Sequence, residues 1–179
     1  MSNACFLGRF QPFHQGHYKV VEKHRDEFKQ LKIVVGSAGK SRETDNPLSF
    51  EERKEIIQTC FPEITVEKLE DMESDEEWAE KLGERCSGTL ISGNELVQKL
   101  VGEFTDLNVV EPELHDPEIY SGSEIRRRMR SGEEWRYLVP KCAQDCIEQK
   151  EEDIREAGIN YNFEPGWKKK NAYHGTADD

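Results

Sequence analysis

Short apolar runs alternate with longer stretches of helical periodicity along most of the chain, and this alternation limits the fold more than any other feature. ACFLGRF (4–10), KIVVGSA (32–38), ITVEKLED (64–71), GTLISGN (88–94) and NVVEPEL (108–114) read as strands, set off by Gly, Pro, Asn or Asp. Between them, GHYKVVEKHRDEFKQL (16–31), LSFEERKEIIQTCF (48–61), SDEEWAEKLGERC (74–86) and ELVQKLVGEF (95–104) read as helices. Ser49 and Glu52 have the spacing of a capping box. SEIRRRMRSG (123–132) forms a further helix, and a last helical region runs from about 141 to 158. Strands separated by helices pair in parallel through crossovers rather than as hairpins. The expected fold is therefore α/β: a Rossmann-like, doubly wound parallel sheet of about five strands with a C-terminal helical region. Residues 1–158 form the expected domain and 159–179 a polar C-terminal tail, which Phe163, Trp167 and Tyr173 would pin to the body.

A chain of 179 residues suffices for one domain with a sizeable core. It carries 37 acidic against 25 basic residues, a net charge of −12, and such a field opposes non-specific binding to nucleic acid. No stretch approaches the ~20 apolar residues that span a bilayer. The start, MSNACFLGRF, lacks the basic, apolar and small-residue regions of a secretory signal, so a cytoplasmic protein without membrane or nucleic-acid partners is expected. Five scattered cysteines argue against a disulfide framework. Cys142 and Cys146 would share one helix face, but two ligands without a second pair make a poor zinc site.

The turn after the first strand, GRFQPFHQGH (8–17), concentrates chemistry. In open parallel sheets, ligands bind beyond the carboxyl ends of the strands. Gly8 and Gly16 permit close backbone approach, His14 and His17 stand three apart where a helix begins, and Arg9 adds a fixed positive charge. With the free amides of a helix N-terminus, these residues make a phosphate cradle. The same histidines would serve equally well as capping residues in a tight turn. A second island, YSGSEIRRRMR (120–130), sets Ser121, Gly122 and Ser123 before a helix bearing Arg126, Arg127, Arg128 and Arg130. With Ser123 as the cap, Arg126 falls at the third helical position. The bland reading is a solvated face neutralised by Glu124 and Glu133. Both islands follow strands of one sheet, the first and the fifth, so both can converge on one polyphosphate.

These segments resemble the paired signatures, H-x-G-H and [ST]-x-x-R, of a nucleotidyltransferase superfamily. The fuller wording, GRFQPFH with SGSEIRRRM, most resembles the archaeal-type nicotinamide-nucleotide adenylyltransferases. The likeness continues through GSAGKSRETDNPLSFEER, LEDMESDEEW, LISGNELV and EEWRYLVP, roughly residues 4 to 145. It implies transfer of AMP from ATP to nicotinamide mononucleotide, with Mg²⁺, giving NAD and pyrophosphate. By that likeness His14 and His17 hold the ATP phosphates and stabilise charge at the α-phosphorus, and Arg126 binds the outgoing β- and γ-phosphates. Gly8, Arg9, Phe10, Gly16, Ser121, Ser123 and Asn94 complete the ATP contacts, and Trp78 stacks on the nicotinamide ring. No metal-ligating residue is implied. Members often form closed multimers, so a homo-oligomer is implied too. Three segments depart from the pattern: Ser41-Arg42-Glu43-Thr44 where relatives read S-H-T, Asp71-Met72-Glu73 in place of D-x-N, and Leu114-His115-Asp116-Pro117 in place of an F-N-R-like stretch. They lie where the acceptor would sit. This leaves open another phosphorylated acceptor, such as phosphopantetheine or a flavin nucleotide, or a nucleotide-binding protein without catalysis.

Overall fold

β1 (Asn3–Gly8) is the central strand of a sheet, and almost all of it is buried. In the computed structural model, which describes residues 2–159, β1 pairs on one side with β2 (Gln30–Val35) and on the other with β4 (Thr89–Ile91). The outer strands are β3 (Val66–Lys68), on β2, and β5 (Asn108–Val110), on β4. All four pairings are parallel, and the order is β3-β2-β1-β4-β5. Phe6 stands opposite Ile33 on one side and Ile91 on the other.

Because side chains alternate across a strand, β1 feeds two cores. Ala4 and Phe6 join a cluster with Val20 and Val21 of α1 (Gln15–His24), Ile56 and Ile57 of α2 (Phe50–Cys60), and Ile125 and Met129 of α5 (Gly122–Ser131). Cys5 and Leu7 join the opposite cluster, with Trp78 and Leu82 of α3 (Asp75–Arg85) and Val97 and Val101 of α4 (Glu95–Phe104). Helices on both faces make the sheet doubly wound, as the alternation predicts. The expected capping box of α2 is present: Ser49 Oγ accepts from Glu52 N–H at 3.2 Å, and Glu52 accepts from Ser49 N–H at 2.9 Å. Among the described residues no helix is long and apolar enough to cross a membrane.

Two expectations are corrected. The last helical region is broken into a 3-10 turn at Lys141–Ala143, α6 (Gln144–Glu148) and α7 (Glu151–Ile159), after an earlier 3-10 turn at Arg136–Leu138. Cys142 and Cys146 therefore do not share a helix. Cys142 instead forms a disulfide with Cys60 at the end of α2, across a separation of 82 residues, while Cys146 is buried. Closing so long a loop stabilises by about 2–4 kcal/mol. The second correction is that α5 starts two residues earlier than expected. Ser121, not Ser123, is its N-cap, so Arg126 lies in the second turn. The cause is Gly122: a Cβ there would come within 2.9 Å of Gln11 O and of Arg126 Nη1, so only glycine lets the first turn pack this closely on the 8–17 loop. Residues 160–179, with Phe163, Trp167 and Tyr173, lie outside the described residues.

The chain runs from β1 outward to β3, then crosses back to β4 and continues to β5. The switch in direction falls between β1 and β4. The crevice above their carboxyl ends is where this architecture binds ligands.

Candidate active site

The 8–17 loop turns its two histidines into the cap of α1. His14 is the N-cap, and its Nδ1 accepts the Gly16 N–H at 3.0 Å. His17 Nδ1 accepts the His14 N–H at 3.1 Å. This is a capping box in which imidazoles take the places of Ser and Glu. The capping reading is therefore met. An Nδ1 that accepts a hydrogen bond keeps its lone pair, so the single N–H of each neutral ring sits on Nε2. The helix end thereby fixes both tautomers.

The rings stack with centroids 3.6 Å apart and planes 28° from parallel. Behind His17 stand Phe10, centroid to centroid at 4.6 Å, and Phe13 at 5.6 Å with its ring nearly parallel to the imidazole. Phe10 is fully buried, with φ +55°, a left-handed conformation costly for a bulky residue. It is absent from the lining of the cavity next to the histidines and packs against His17. Gly16 is required by the His14 ring, since a Cβ there would lie 2.8 Å from Cε1 and 3.0 Å from Nδ1. Gly16→Ala therefore displaces His14 and breaks its cap bond. We expect at least a tenfold fall in turnover and a loss of about 1 kcal/mol of stability, read from initial rates and thermal unfolding of the same preparation.

His14 and His17 open on a cavity of about 280 Å³ above the carboxyl ends of β1 and β4. Gly16, Asn94, Leu114, His115 and Tyr120 share its lining. Asn94 is the N-cap of α4, with Oδ1 accepting from Leu96 N–H at 3.0 Å and Val97 N–H at 3.1 Å, so its role in the fold is independent of any ligand. Leu114, His115 and Pro117 were not singled out as site residues by the sequence, though the segment's departure from the family pattern marked it. They form the wall contributed by the loop after β5.

The second island meets the first. Arg126 is almost fully buried, and its Nη1 donates to Gln11 O at 2.7 Å, inside the first signature. Ser121, the cap of α5, is buried and accepts the Glu124 N–H, while Ser123 is exposed with its Oγ 3.3 Å from that of Ser121. Arg127 and Arg128 take the bland role, while Arg130 donates to Thr44 O and Ile154 O. Arg127 and Arg128 both hold Glu124, whose carboxyl they depress from 4.5 to about 2. A depressed carboxylate stabilises the fold above its unfolded value and loses that contribution as pH falls through its folded value. Stability should therefore fall between about pH 4.5 and pH 2, and Glu124→Gln should flatten that acid limb in unfolding curves.

Gly8 ends β1, its carbonyl accepting from Gly36 N–H at 2.8 Å, and Arg9 follows, buried. A residue the sequence did not disclose holds this region: Arg53 of α2, fully buried. Its Nη1 donates to Arg9 O at 3.0 Å and Gly36 O at 2.9 Å, its Nη2 to Ser37 O at 3.1 Å, and its Nε to Ser49 O at 3.2 Å. Burial and the nearby charge of Arg9 push the Arg53 guanidinium down to about 10, which leaves it charged at neutral pH. The two cations stand side by side at the end of β1, with Asp71 and Glu52 near enough to offset part of their charge.

Trp78 is not brought to the cavity. It is fully buried in the opposite core with Leu69, Leu82 and Leu90, as helical spacing alone would place it. Among the described residues no three His, Cys, Asp or Glu side chains are grouped to hold a metal ion.

The cytidylyltransferase-like family model matches residues 5–128. The nicotinamide-nucleotide adenylyltransferase of Halobacterium salinarum is 34% identical over 153 residues, covering 82% of this chain and 86% of that protein. The chain belongs to the nicotinamide-nucleotide adenylyltransferase family. Other members are 35% identical in Methanolobus tindarius, over 83% of this chain and 89% of that one, and 36% in Methanosarcina acetivorans, over 82% and 88%. The residues matched by the family model include both His14–His17 and Ser123–Arg126 of this chain. The fold is shared with a bifunctional NMN adenylyltransferase/ADP ribose pyrophosphatase from Francisella tularensis, solved with AMP and a Mn ion, at a TM-score of 0.72 and 18% identity. That alignment covers 88% of this chain, which spans about half of the bifunctional protein (52%).

Proposed function

We propose that the chain transfers AMP from ATP to nicotinamide mononucleotide, forming NAD and pyrophosphate. The observation that carries this reading is the meeting of the two signatures: two histidines locked as Nε2–H donors at a helix N-terminus, with Arg126 tied to the same loop. A phosphate oxygen of the acceptor attacks the α-phosphorus of ATP in line. The bond from that phosphorus to the bridging oxygen breaks, and pyrophosphate leaves with the electron pair. The attacking oxygen is already anionic at neutral pH, so the site needs no strong base. Its task is positioning and stabilising charge. His14 and His17 donate from Nε2 to the phosphate oxygens, where preorganised donors contribute most. Arg126 receives the outgoing phosphates, and Arg9 raises the potential at the end of β1. Mg²⁺ arrives bound to ATP, as part of the substrate.

The wall formed by Leu114, His115 and Pro117 favours one second reading, a different phosphorylated acceptor. Pyrophosphate release from MgATP, measured with nicotinamide mononucleotide, phosphopantetheine or flavin mononucleotide, separates the two. Release that requires nicotinamide mononucleotide and yields equimolar NAD is expected. Release that follows another acceptor instead overturns the assignment.

A further inference from the structure

The loop between β2 and α2 sets a carboxylate against the arginine assigned above to the outgoing phosphates. Asp45 Oδ1 lies 3.9 Å from Arg126 Nη2, with the Asp45 side chain 53% exposed and that of Arg126 only 4%. Arg126 Nη1 donates to Gln11 O, and its Nη2 is the side that faces Asp45. The segment carrying Asp45 is held from behind. Arg130 Nη2 donates to Thr44 O at 2.7 Å, Thr44 Oγ1 donates to Ala157 O at 3.3 Å, and Glu43 and Asn46 exchange backbone hydrogen bonds at 3.2 Å across Asp45. Arg42 fastens the same segment to α2 through Glu52, at 2.7 and 3.2 Å. The carboxylate therefore sits on an anchored turn, with one side in solvent and the other toward Arg126.

We infer that Asp45 is a built-in competitor for the pyrophosphate position: it neutralises Arg126 while the site is free and weakens the hold on pyrophosphate once the bond has broken. This rests on the reading that Arg126 receives the outgoing phosphates. A carboxylate and a phosphate oxygen seek the same guanidinium edge, and a negative charge already beside Arg126 disfavours an entering anion even under water-like screening. Release is thereby favoured over retention of a product carrying several negative charges. Transfer itself forms and breaks only the bonds described above, and Asp45 takes no part in it.

The test is calorimetric titration of inorganic pyrophosphate, in EDTA so that no divalent ion bridges the carboxylate to the ligand, into the wild type, Asp45→Asn, Asp45→Ala and Arg126→Gln. Both Asp45 variants should bind pyrophosphate about five- to tenfold more tightly, and the advantage should shrink as KCl is raised. Arg126→Gln should bind at least tenfold more weakly. A merely structural role for Asp45 would loosen binding, not tighten it. Asp45 variants with wild-type or weaker affinity, alongside a weakened Arg126→Gln, overturn the inference and leave the placement of the phosphates standing. Equal affinity of wild type and Arg126→Gln defeats that placement, and the inference falls with it.

Discussion

Replacing His17 with alanine should lower the rate of AMP transfer by about 10² to 10³, the usual loss when one preorganised donor to a developing charge is removed. The same change should cost about 1 kcal/mol of stability, because His17 Nδ1 also accepts the His14 N–H and closes the cap of α1. The two losses have different atoms behind them and can be separated. In His17→Asn a short side-chain oxygen can still accept the N-cap amide, but nothing reaches to where Nε2 stood. That variant should regain most of the stability and little of the rate. Thermal unfolding and single-turnover NAD formation on both variants check this. Rate and stability rising together in His17→Asn would mean that His17 matters only as a cap.

Arg53→Ala should be the most destabilising single change in the vicinity of the site. The guanidinium is fully buried and serves carbonyls of Arg9, Gly36, Ser37 and Ser49, which come from the ends of β1 and β2 and the start of α2. Removing it strands those acceptors away from water, at a cost of roughly 3–5 kcal/mol. For a domain of this size that lowers Tm by about 6–20 °C. Arg53→Lys keeps the charge, but one ammonium cannot span carbonyls that a planar fork reaches at once. It should recover only part of the loss. Chemical denaturation of the three proteins at one pH gives the comparison. A fall under 1 kcal/mol for Arg53→Ala would show that the strand ends hold their positions without it.

The sheet was legible in the sequence because parallel strands buried on both faces appear as short apolar runs, and the helices between them keep their own period. The histidines and glycines of the first strand-to-helix turn allowed the site's location to be read before its geometry, and the strand order puts that loop at the switch point. The roles within the loop were less legible. Spacing together with the family resemblance singled out His14 and His17 but could not say that their Nδ1 atoms close a cap, nor that Phe10 packs behind His17. Ser121 and Ser123 offer the same capping chemistry two residues apart. The choice between them is made by the fit of Gly122 against Gln11, a tertiary contact. Arg53 sits in LSFEERKEII, where it reads as one more charged residue on a helix. Only the convergence of distant carbonyls buries it. The Cys60–Cys142 disulfide spans 82 residues with no local pattern to announce it. Trp78 followed its helical period into the core.

At the centre of the account are two imidazoles, held by backbone amides as Nε2–H donors to the triphosphate. Long-range ¹⁵N–¹H correlation spectra of the histidine rings test this most directly, recorded near neutral pH with and without MgATP. The account predicts, for both His14 and His17, an unprotonated Nδ1 and a protonated Nε2, with the Nε2 signals shifting when MgATP is added. Rings in the Nδ1–H tautomer, or Nε2 signals indifferent to MgATP, would contradict it.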